Sequence, residues 1–514
     1  MVLGLRALRC QIGFDAGGRR RRLWGPALGA WLAVWAGLGC GASGDPVGSS
    51  GAGLAGSAGA ASSALAAGPP GGSGARGLDV DGGSQPPGGD AGAAAPGGPQ
   101  AGLGREVAGR RSRPDAGLLW ERACSFEEAV CVHGAPGVSP GALGATLRHA
   151  EGALRAQRVL DVPAPLPDGL LGGSPALDVY VVPGSEAPFA AADLEMLSGR
   201  FDRSSAFVVL PPPDLWDFCE ARFRTARVVA EASLMRLDAG VEGGVLGMTG
   251  SYLASLNGAC SSIEIPAVDV FQRSPERALT ETPAGSAVDG AFVFPWYLDE
   301  AYGTGRPGSV ITGLVAIAAQ RTPPGAWVFH NEPDIFDALR FVARERGVTL
   351  EDLLLDFTVA RGFLGSRSDE GHLIDVARFG EAGRARFEWA VPYSSLPRRL
   401  APLRPIEPTG ATYIWLDLEG APAGAGLTFV ADWELDVLFR WALVKVDKSG
   451  REVSRVNVAG IYGSTHAEKT VVGIDNLAGL LVVGVNTGSM DRSRPFDPDE
   501  GPFMPRSYTV TLYP

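Results

Sequence analysis

The feature that most limits the possible folds of this chain is a low-complexity stretch near the N-terminus, residues 41–118. It is dominated by Gly, Ala, Ser and Pro, and it has almost no large apolar side chain before Leu118. Such a composition cannot bury enough surface to offset the entropy that is lost on ordering. We therefore predict a disordered tether over residues 40–118, with an r.m.s. span of about 50 Å. The folded part of the 514-residue chain is expected to follow it.

The segment before the tether has the pattern of an export signal. Four arginines, Arg19–Arg22, precede 17 uncharged residues, Leu23–Gly39. That run is shorter than the ~20 residues that span a membrane, and it suits the apolar core of a signal peptide. It ends at Gly39-Cys40, which resembles a bacterial lipoprotein signal. The resemblance implies a signal peptide over residues 1–39, a lipid on Cys40 and anchoring to a membrane of the cell envelope. An ordinary secretory signal and a retained membrane anchor are the alternatives.

Four cysteines follow the tether: Cys124, Cys131, Cys219 and Cys260. An even number of cysteines in an exported chain indicates disulfides. Of the three possible pairings we predict Cys124–Cys131 and Cys219–Cys260, because each closes a local loop. The second bridge would contribute about 3–4 kcal/mol in the chain-entropy treatment. The spacings lack a Cys-x₂₋₄-Cys pair, so a zinc site built from these thiolates is the weaker interpretation.

The central part of the chain, 119–400, predicts an α+β domain that is mainly helical with a small sheet. Ser139-Pro140 marks the start of a helix, with Ser as the N-cap and Pro in the first turn. Two runs rich in β-branched residues, 177–182 and 205–210, predict strands. Apolar residues at helical spacing predict further helices over 225–237, 245–256, 309–320, 334–346 and 349–359.

The last segment, 401–514, predicts a C-terminal β-sandwich. After a Pro- and Arg-rich linker over 396–405, the hydrophobic period changes to two, and about seven strands fit into the rest. Asp447-Lys448-Ser449-Gly450 predicts a hairpin turn between two of them. The acidic residues of 491–500 are interpreted as a solvated loop and not as a calcium site, because prolines interrupt the ligand spacing.

Several segments resemble exported metalloproteases of a myxobacterial, zincin-like type. They are Cys124…Cys131-Val132-His133, Pro163–Gly169 and Leu177–Val181. In that family a helix with His-Glu-x-x-His follows, and then a second helix with a Glu-Gly-x-Ala-like ligand segment. The resemblance covers about 120–514 and implies a zincin-like fold for the central domain.

The zinc motif is where this chain departs from the family. On a helix, His at i and i+4 share one face and hold zinc, while the intervening Glu activates the water. The resemblance assigns the two His positions to Ala230 and Leu234 and the downstream ligand to Thr249. The side chains of alanine and leucine have no lone pair to donate, so we predict that no metal binds here. We also predict no other cofactor. Glu231 is then either an ordinary helix carboxylate or a relic of the catalytic base.

Other catalytic patterns are weaker still. The five histidines include no pair at i,i+3 or i,i+4, and a Ser nucleophile elbow is absent outside the tether. Asp299-Glu300, after Trp296 and Tyr297, could form a glycosidase pair. Adjacent carboxylates usually point apart, however, and acids are common at helix starts for other reasons.

These patterns predict a cell-envelope lipoprotein whose metallopeptidase-like domain is inactive and acts by binding a protein or peptide. An active hydrolase, peptidase or glycosidase, with an unrecognised site is one alternative. A glycan-binding envelope protein that uses the sandwich is another. The net charge of −12 argues against a nucleic-acid partner.

Overall fold

The computed structural model describes residues 112–114, 120–185, 187–193, 201–280, 289–319, 333–369, 371–435, 437–459, 464–489 and 505–514. The predicted signal peptide, Cys40, most of the tether and the acidic loop 491–500 lie outside the described residues. What is described combines helices with mixed and antiparallel sheets, which confirms the α+β class. None of the helices in these ranges is long and apolar enough to cross a membrane.

A five-stranded sheet opens the folded part. Its order is β1-β2-β3-β5-β4, in which the three inner strands are parallel and both edge strands are antiparallel. The two predicted strands are present as β3 and β5; both are buried along their whole length, and this explains their apolar runs. The bounds are β1 Glu121–Cys124, β2 Val130–Gly134, β3 Leu177–Val181, β4 Phe189–Ala192 and β5 Ala206–Leu210.

Helices cover this sheet and extend beyond it. The first begins where predicted, since Ser139 Oγ accepts the N–H of Ala142 at 3.1 Å. Two helices were not predicted, α4 and α5, and each contains a proline (Pro266 and Pro295) that weakens a helical pattern. The bounds are α1 Pro140–Val159, α2 Phe218–Leu237, α3 Gly243–Asn257, α4 Ser261–Arg273, α5 Val293–Tyr302, α6 Ser309–Ala318, α7 Ile335–Glu345 and α8 Leu350–Gly362.

Both predicted disulfides are present. Cys124–Cys131 joins β1 to β2, and Cys219–Cys260 joins the first turn of α2 to the residue before α4. Disulfides persist in oxidising compartments, so the folded part belongs outside the cytosol.

Two further sheets enclose a second core. One has the order β11-β10-β13-β8-β6 and the other β12-β9-β14-β7, and apolar residues from both, such as Phe429 and Trp441, meet between them. The predicted hairpin turn is present, since Asp447 Oδ1 accepts the N–H groups of Ser449 and Arg451 at 2.8 and 3.0 Å. The bounds are β6 Trp389–Pro392, β7 Arg398–Leu400, β8 Ala411–Asp417, β9 Gly426–Trp433, β10 Val437–Val446, β11 Glu452–Ala459, β12 His466–Val472, β13 Gly479–Ser489 and β14 Tyr508–Tyr513.

The start of this β-rich region differs from the predicted boundary at residue 401. Strand β6 pairs with β8, and β7 pairs with β14, although both precede that boundary and β7 lies in the predicted linker. Prolines at 392 and 397 hid the strand pattern, because proline cannot donate to a ladder. It is tolerated at a sheet edge, and both β6 and β7 are edge strands.

The five-stranded sheet of the β-rich region also packs against the helices. Its outward side chains, among them Tyr413, Ala442 and Leu481, belong to the same core as α8. The Tyr413 hydroxyl donates to the carbonyl of Thr358 on α8 at 2.8 Å. Because both faces of this sheet are buried, β13 is apolar at consecutive positions and does not alternate there.

Candidate functional site

Glu231, the candidate that sequence singled out, lies in the last half of α2, where α3 crosses it closely. A Cβ placed on Gly250 of α3 would be 2.9 Å from Glu231 Cγ and 3.1 Å from the carbonyl oxygen of Arg227. Only glycine fits there without displacing the partner helix. The two helices therefore enclose the stem of Glu231, and its side chain is largely buried.

An arginine holds the Glu231 carboxylate. Arg227, one turn earlier on α2, donates from Nε to Glu231 Oε1 at 2.9 Å. Its Nη1 lies 2.8 Å from Asp289 Oδ1, so one guanidinium bridges two carboxylates. Burial raises the pKa of Glu231, and the charge of Arg227 opposes that rise. The cluster formed by Arg227, Glu231 and Asp289, called the Glu231 cluster below, carries its own counter-ion.

The same carboxylate also covers an edge of the first sheet. The backbone of Ala190 on β4 is hydrogen-bonded to Glu231. The N–H of Asp193 donates to the carbonyl of Ser205 at 2.8 Å, so the backbone N–H and C=O groups of odd-numbered residues in this strand point toward β5. Those of Ala190 point away from β5. Edge strands present unpaired backbone groups that proteins usually cover. Glu231 satisfies one of them.

The positions that the resemblance assigns to zinc ligands lie inside the core. Ala230, Leu234 and Thr249 are each 0% exposed. Ala230 packs against Val162 and Leu253, whereas Leu234 belongs to the main core. Thr249 offers one buried hydroxyl that has no hydrogen-bond partner among the described residues, and a single hydroxyl does not make a zinc site. The residues present do not fit the metal.

Asp299 and Glu300 point to different partners. Asp299 accepts the N–H of Val310 at 3.0 Å and the hydroxyl of Tyr252 at 2.8 Å, and it thereby holds the start of α6. Glu300 accepts Trp296 Nε1 at 2.6 Å. Burial raises the pKa of both carboxyl groups. Each has a structural role, and the geometry of a glycosidase pair facing one substrate is not formed.

The described histidines have different partners: His133 contacts Asp178, His149 packs on the ring of Phe218, and His466 contacts Asp432. His372 bridges the helical part and β11: its Nδ1 is 2.8 Å from Asp369 Oδ1 and its Nε2 is 2.7 Å from Glu452 Oε2. Burial alone would lower the pKa of His372, but the two carboxylates outweigh it and raise the pKa to about 9. His330 lies outside the described residues.

A buried acidic pocket at the first sheet escaped the sequence analysis. Its carboxylates come from Asp168, Asp178 and Asp193, and Arg113 fills it. The Arg113 guanidinium lies 2.5 Å from Asp168 Oδ2 and 2.7 Å from Asp193 Oδ1, and it also pairs with Asp178. Burial, together with a hydrogen bond to Asp178, raises the pKa of Asp168 to about 6.

Arg113 belongs to the segment predicted as tether, so the ordered part begins before residue 118. One signal for the pocket was present in the sequence: Asp178 interrupts an otherwise apolar buried strand, and a buried carboxylate requires partners. His133 is a second partner of Asp178, with its Nε2 at 2.8 Å from Asp178 Oδ1. The charge partner itself comes from a low-complexity segment, where composition gave no reason to expect one.

One group among the described residues has the spacing of a metal site: Asp217, Cys219 and Cys260. Both of its cysteines form a disulfide with each other, so their thiolates are not available as ligands.

Comparisons with known proteins do not show a family for this chain. No family model matches it, and no curated protein matches it. Among solved structures it is similar to the pre-peptidase C-terminal domain of collagenase from Bacillus anthracis, at 8% identity and a TM-score of 0.17. The match covers 25% of this chain and 98% of that one. A score this low carries no argument about fold or function.

Proposed function

We propose that this protein is a cell-envelope lipoprotein whose central, metallopeptidase-like domain binds a protein or peptide without cleaving it. The observation that carries the proposal is the ion pair of Arg227 with Glu231. A catalytic glutamate of this enzyme class must face a metal-bound water. Here the carboxylate faces a guanidinium and a backbone N–H group, at 2.9 Å from Arg227 Nε.

The surroundings of Glu231 support the same proposal. General base catalysis needs a carboxylate within hydrogen-bond reach of the proton that it removes. Glu231 is enclosed between α2, α3 and β4, and Gly250 brings α3 against its stem. The positions that would hold zinc, Ala230 and Leu234, contribute to hydrophobic packing. A domain built in this way keeps its shape without a metal and is available for recognition.

Anchoring by lipid follows from the N-terminal pattern. Acylated Cys40 would hold the chain at a membrane, and the tether would hold the folded part at an r.m.s. distance of about 50 Å from it. Arg113 fixes the end of that tether to the first sheet through its three aspartates. The two disulfides agree with an oxidising location.

A peptide pool from digested casein tests the proposal on the Cys40→Ser chain, which retains every folded residue. The proposal predicts that part of the pool is retained on the immobilised protein and elutes with unchanged masses, with or without added zinc. New cleavage products that a chelator suppresses would contradict it. If the protein is shown to be folded and retains no peptide, the proposal that it binds a protein or peptide is wrong.

A further inference from the structure

A cavity of about 430 Å³ lies where the C-terminal end of α8 meets the five-stranded sheet of the β-rich region. This volume falls within the range of small-molecule sites. Its walls come from the segment after α8, from β8 and β13, and from the hairpin turn at Gly450. None of the lining residues belongs to the Glu231 cluster, so the inference below does not rest on the proposed function.

The floor of this cavity is aromatic. The rings of Phe387 and Trp415 are nearly parallel, with centroids 5.9 Å apart and an interplanar angle of 6°. The Arg367 guanidinium lies over the Phe387 ring, 3.6 Å from its centroid. Phe363 lines the same cavity and stacks on His372 at 4.3 Å, which holds its ring in place. The floor therefore offers flat apolar surfaces in fixed orientations.

The rim of the cavity is positively charged. Arg367 and Arg384 line it together with serine hydroxyls, and none of the described lining residues is acidic. Arg384 pairs with Glu381 at 2.7 Å, on the solvent side. Arg367 Nη1 donates to a neutral partner, the carbonyl of Ala385, at 2.9 Å.

Arg367 is thus a half-buried cation without a carboxylate in ion-pair contact within the described parts of the chain. Burial, and then the charge of Arg384, lower the pKa of Arg367 to about 10, so the group remains charged at neutral pH. A partly desolvated guanidinium next to a second one attracts an anion, and its fork of N–H donors suits a carboxylate.

We propose that this cavity binds a carboxylate that is attached to a flat aromatic group. The carboxylate would accept hydrogen bonds from Arg367, and the ring would pack on the surface formed by Phe363, Phe387 and Trp415. A free aromatic acid and the C-terminal residue of a peptide that ends in an aromatic amino acid share this chemistry.

Isothermal titration of the Cys40→Ser chain tests the proposal with a matched pair of probes. N-acetyltryptophan carries the carboxylate, whereas N-acetyltryptophanamide has the same ring and no charge. We expect the acid to bind at least about ten-fold more tightly, because a hydrogen bond to a charged group is lost in the amide. Equal affinity, or no binding of the acid at 10 mM, would overturn the proposal.

Substitutions locate the site. Arg367→Met should weaken binding of the acid at least about ten-fold and leave the amide unchanged. Arg384→Met, at the exposed rim, should weaken it by a smaller factor. Arg399→Met, which removes an exposed arginine of β7 that does not line the cavity, is the control and should have no effect. An equal loss in the Arg399 variant, or full affinity in both cavity variants, would contradict the assignment.

A peptide that ends in Ala-Ala-Trp separates the two sources of the ligand. Tighter binding of this peptide than of N-acetyltryptophan would identify a peptide C-terminus, and weaker binding would identify a free acid. Either result supports the shared chemistry, provided that amidation of the same C-terminus abolishes the affinity.

Discussion

The Glu231 cluster and the Arg367 cavity both place an ionised side chain against apolar surroundings, but they differ in how the charge is balanced. Glu231 and Asp289 share Arg227, and the backbone of β4 supplies a further hydrogen bond. Arg367 has a carbonyl partner and faces a cavity of about 430 Å³. A fold is destabilised when an enclosed charge loses its partner, whereas an uncompensated charge beside open space is suited to a ligand.

The largest expected difference between the two regions comes from one substitution made in each. Arg227→Met leaves two largely buried carboxylates without their cation and should lower the free energy of unfolding by about 3 kcal/mol. Arg367→Met removes a cation that has no carboxylate partner in the described parts of the chain, so the free energy of unfolding should change by less than about 1 kcal/mol. Urea denaturation measures both values. Similar losses in the two variants would remove the distinction between the regions.

A pH series sharpens the comparison at His372, which stacks on the cavity residue Phe363. The pKa of His372 is raised to about 9, from an ordinary value of 6.5, by Asp369 and Glu452 against the effect of burial. Because the pKa of His372 is higher in the folded than in the unfolded protein, the stabilisation from its charged form is fully present below pH 6.5. This stabilisation is lost as the pH rises toward 9. We expect a loss on the order of 2 kcal/mol across that window.

His372→Gln should remove most of this pH dependence, whereas His466→Gln, at an exposed position on β12, should retain it. Urea midpoints between pH 6 and 9 provide the measurement. An unchanged slope in the His372 variant would show that other groups cause it.

The smallest expected effect tests how tightly Glu231 is enclosed. Gly250→Ala would place a methyl group 2.9 Å from Glu231 Cγ, and we expect a loss of about 1–2 kcal/mol from overpacking. Gly152→Ala on α1 has open space around the new methyl group and should be neutral or stabilising by up to about 1 kcal/mol. If both variants gain stability, α3 does not close over Glu231 as described.

Sequence predicted the parts of this molecule that local patterns encode. The helix start at Ser139, the disulfides and the hairpin at Gly450 each depend on residues near one another or on a simple pairing rule. Strand β6 and helix α4 were missed because proline weakens the patterns of strand and helix.

The candidate sites required long-range information. The three aspartates around Arg113 are distant from it in sequence, and Arg113 itself stands in a segment with the composition of a tether. Arg367, Trp415 and the Gly450 turn line one cavity only because the β-rich region docks on α8. Glu231 was found from its place in a helix, but the ion pair of its partner Arg227 with Asp289 was not, because no spacing rule links residues so far apart.

The central claim is that Glu231 belongs to a closed ion-pair cluster and does not serve a metal. The most direct measurement is the zinc content of the purified Cys40→Ser chain after dialysis against zinc and extensive washing, with Glu231→Gln treated in parallel. The account predicts far less than one zinc per chain and the same trace amount in both proteins. Close to one zinc per chain, lost in Glu231→Gln and accompanied by proteolysis that a chelator inhibits, would contradict it.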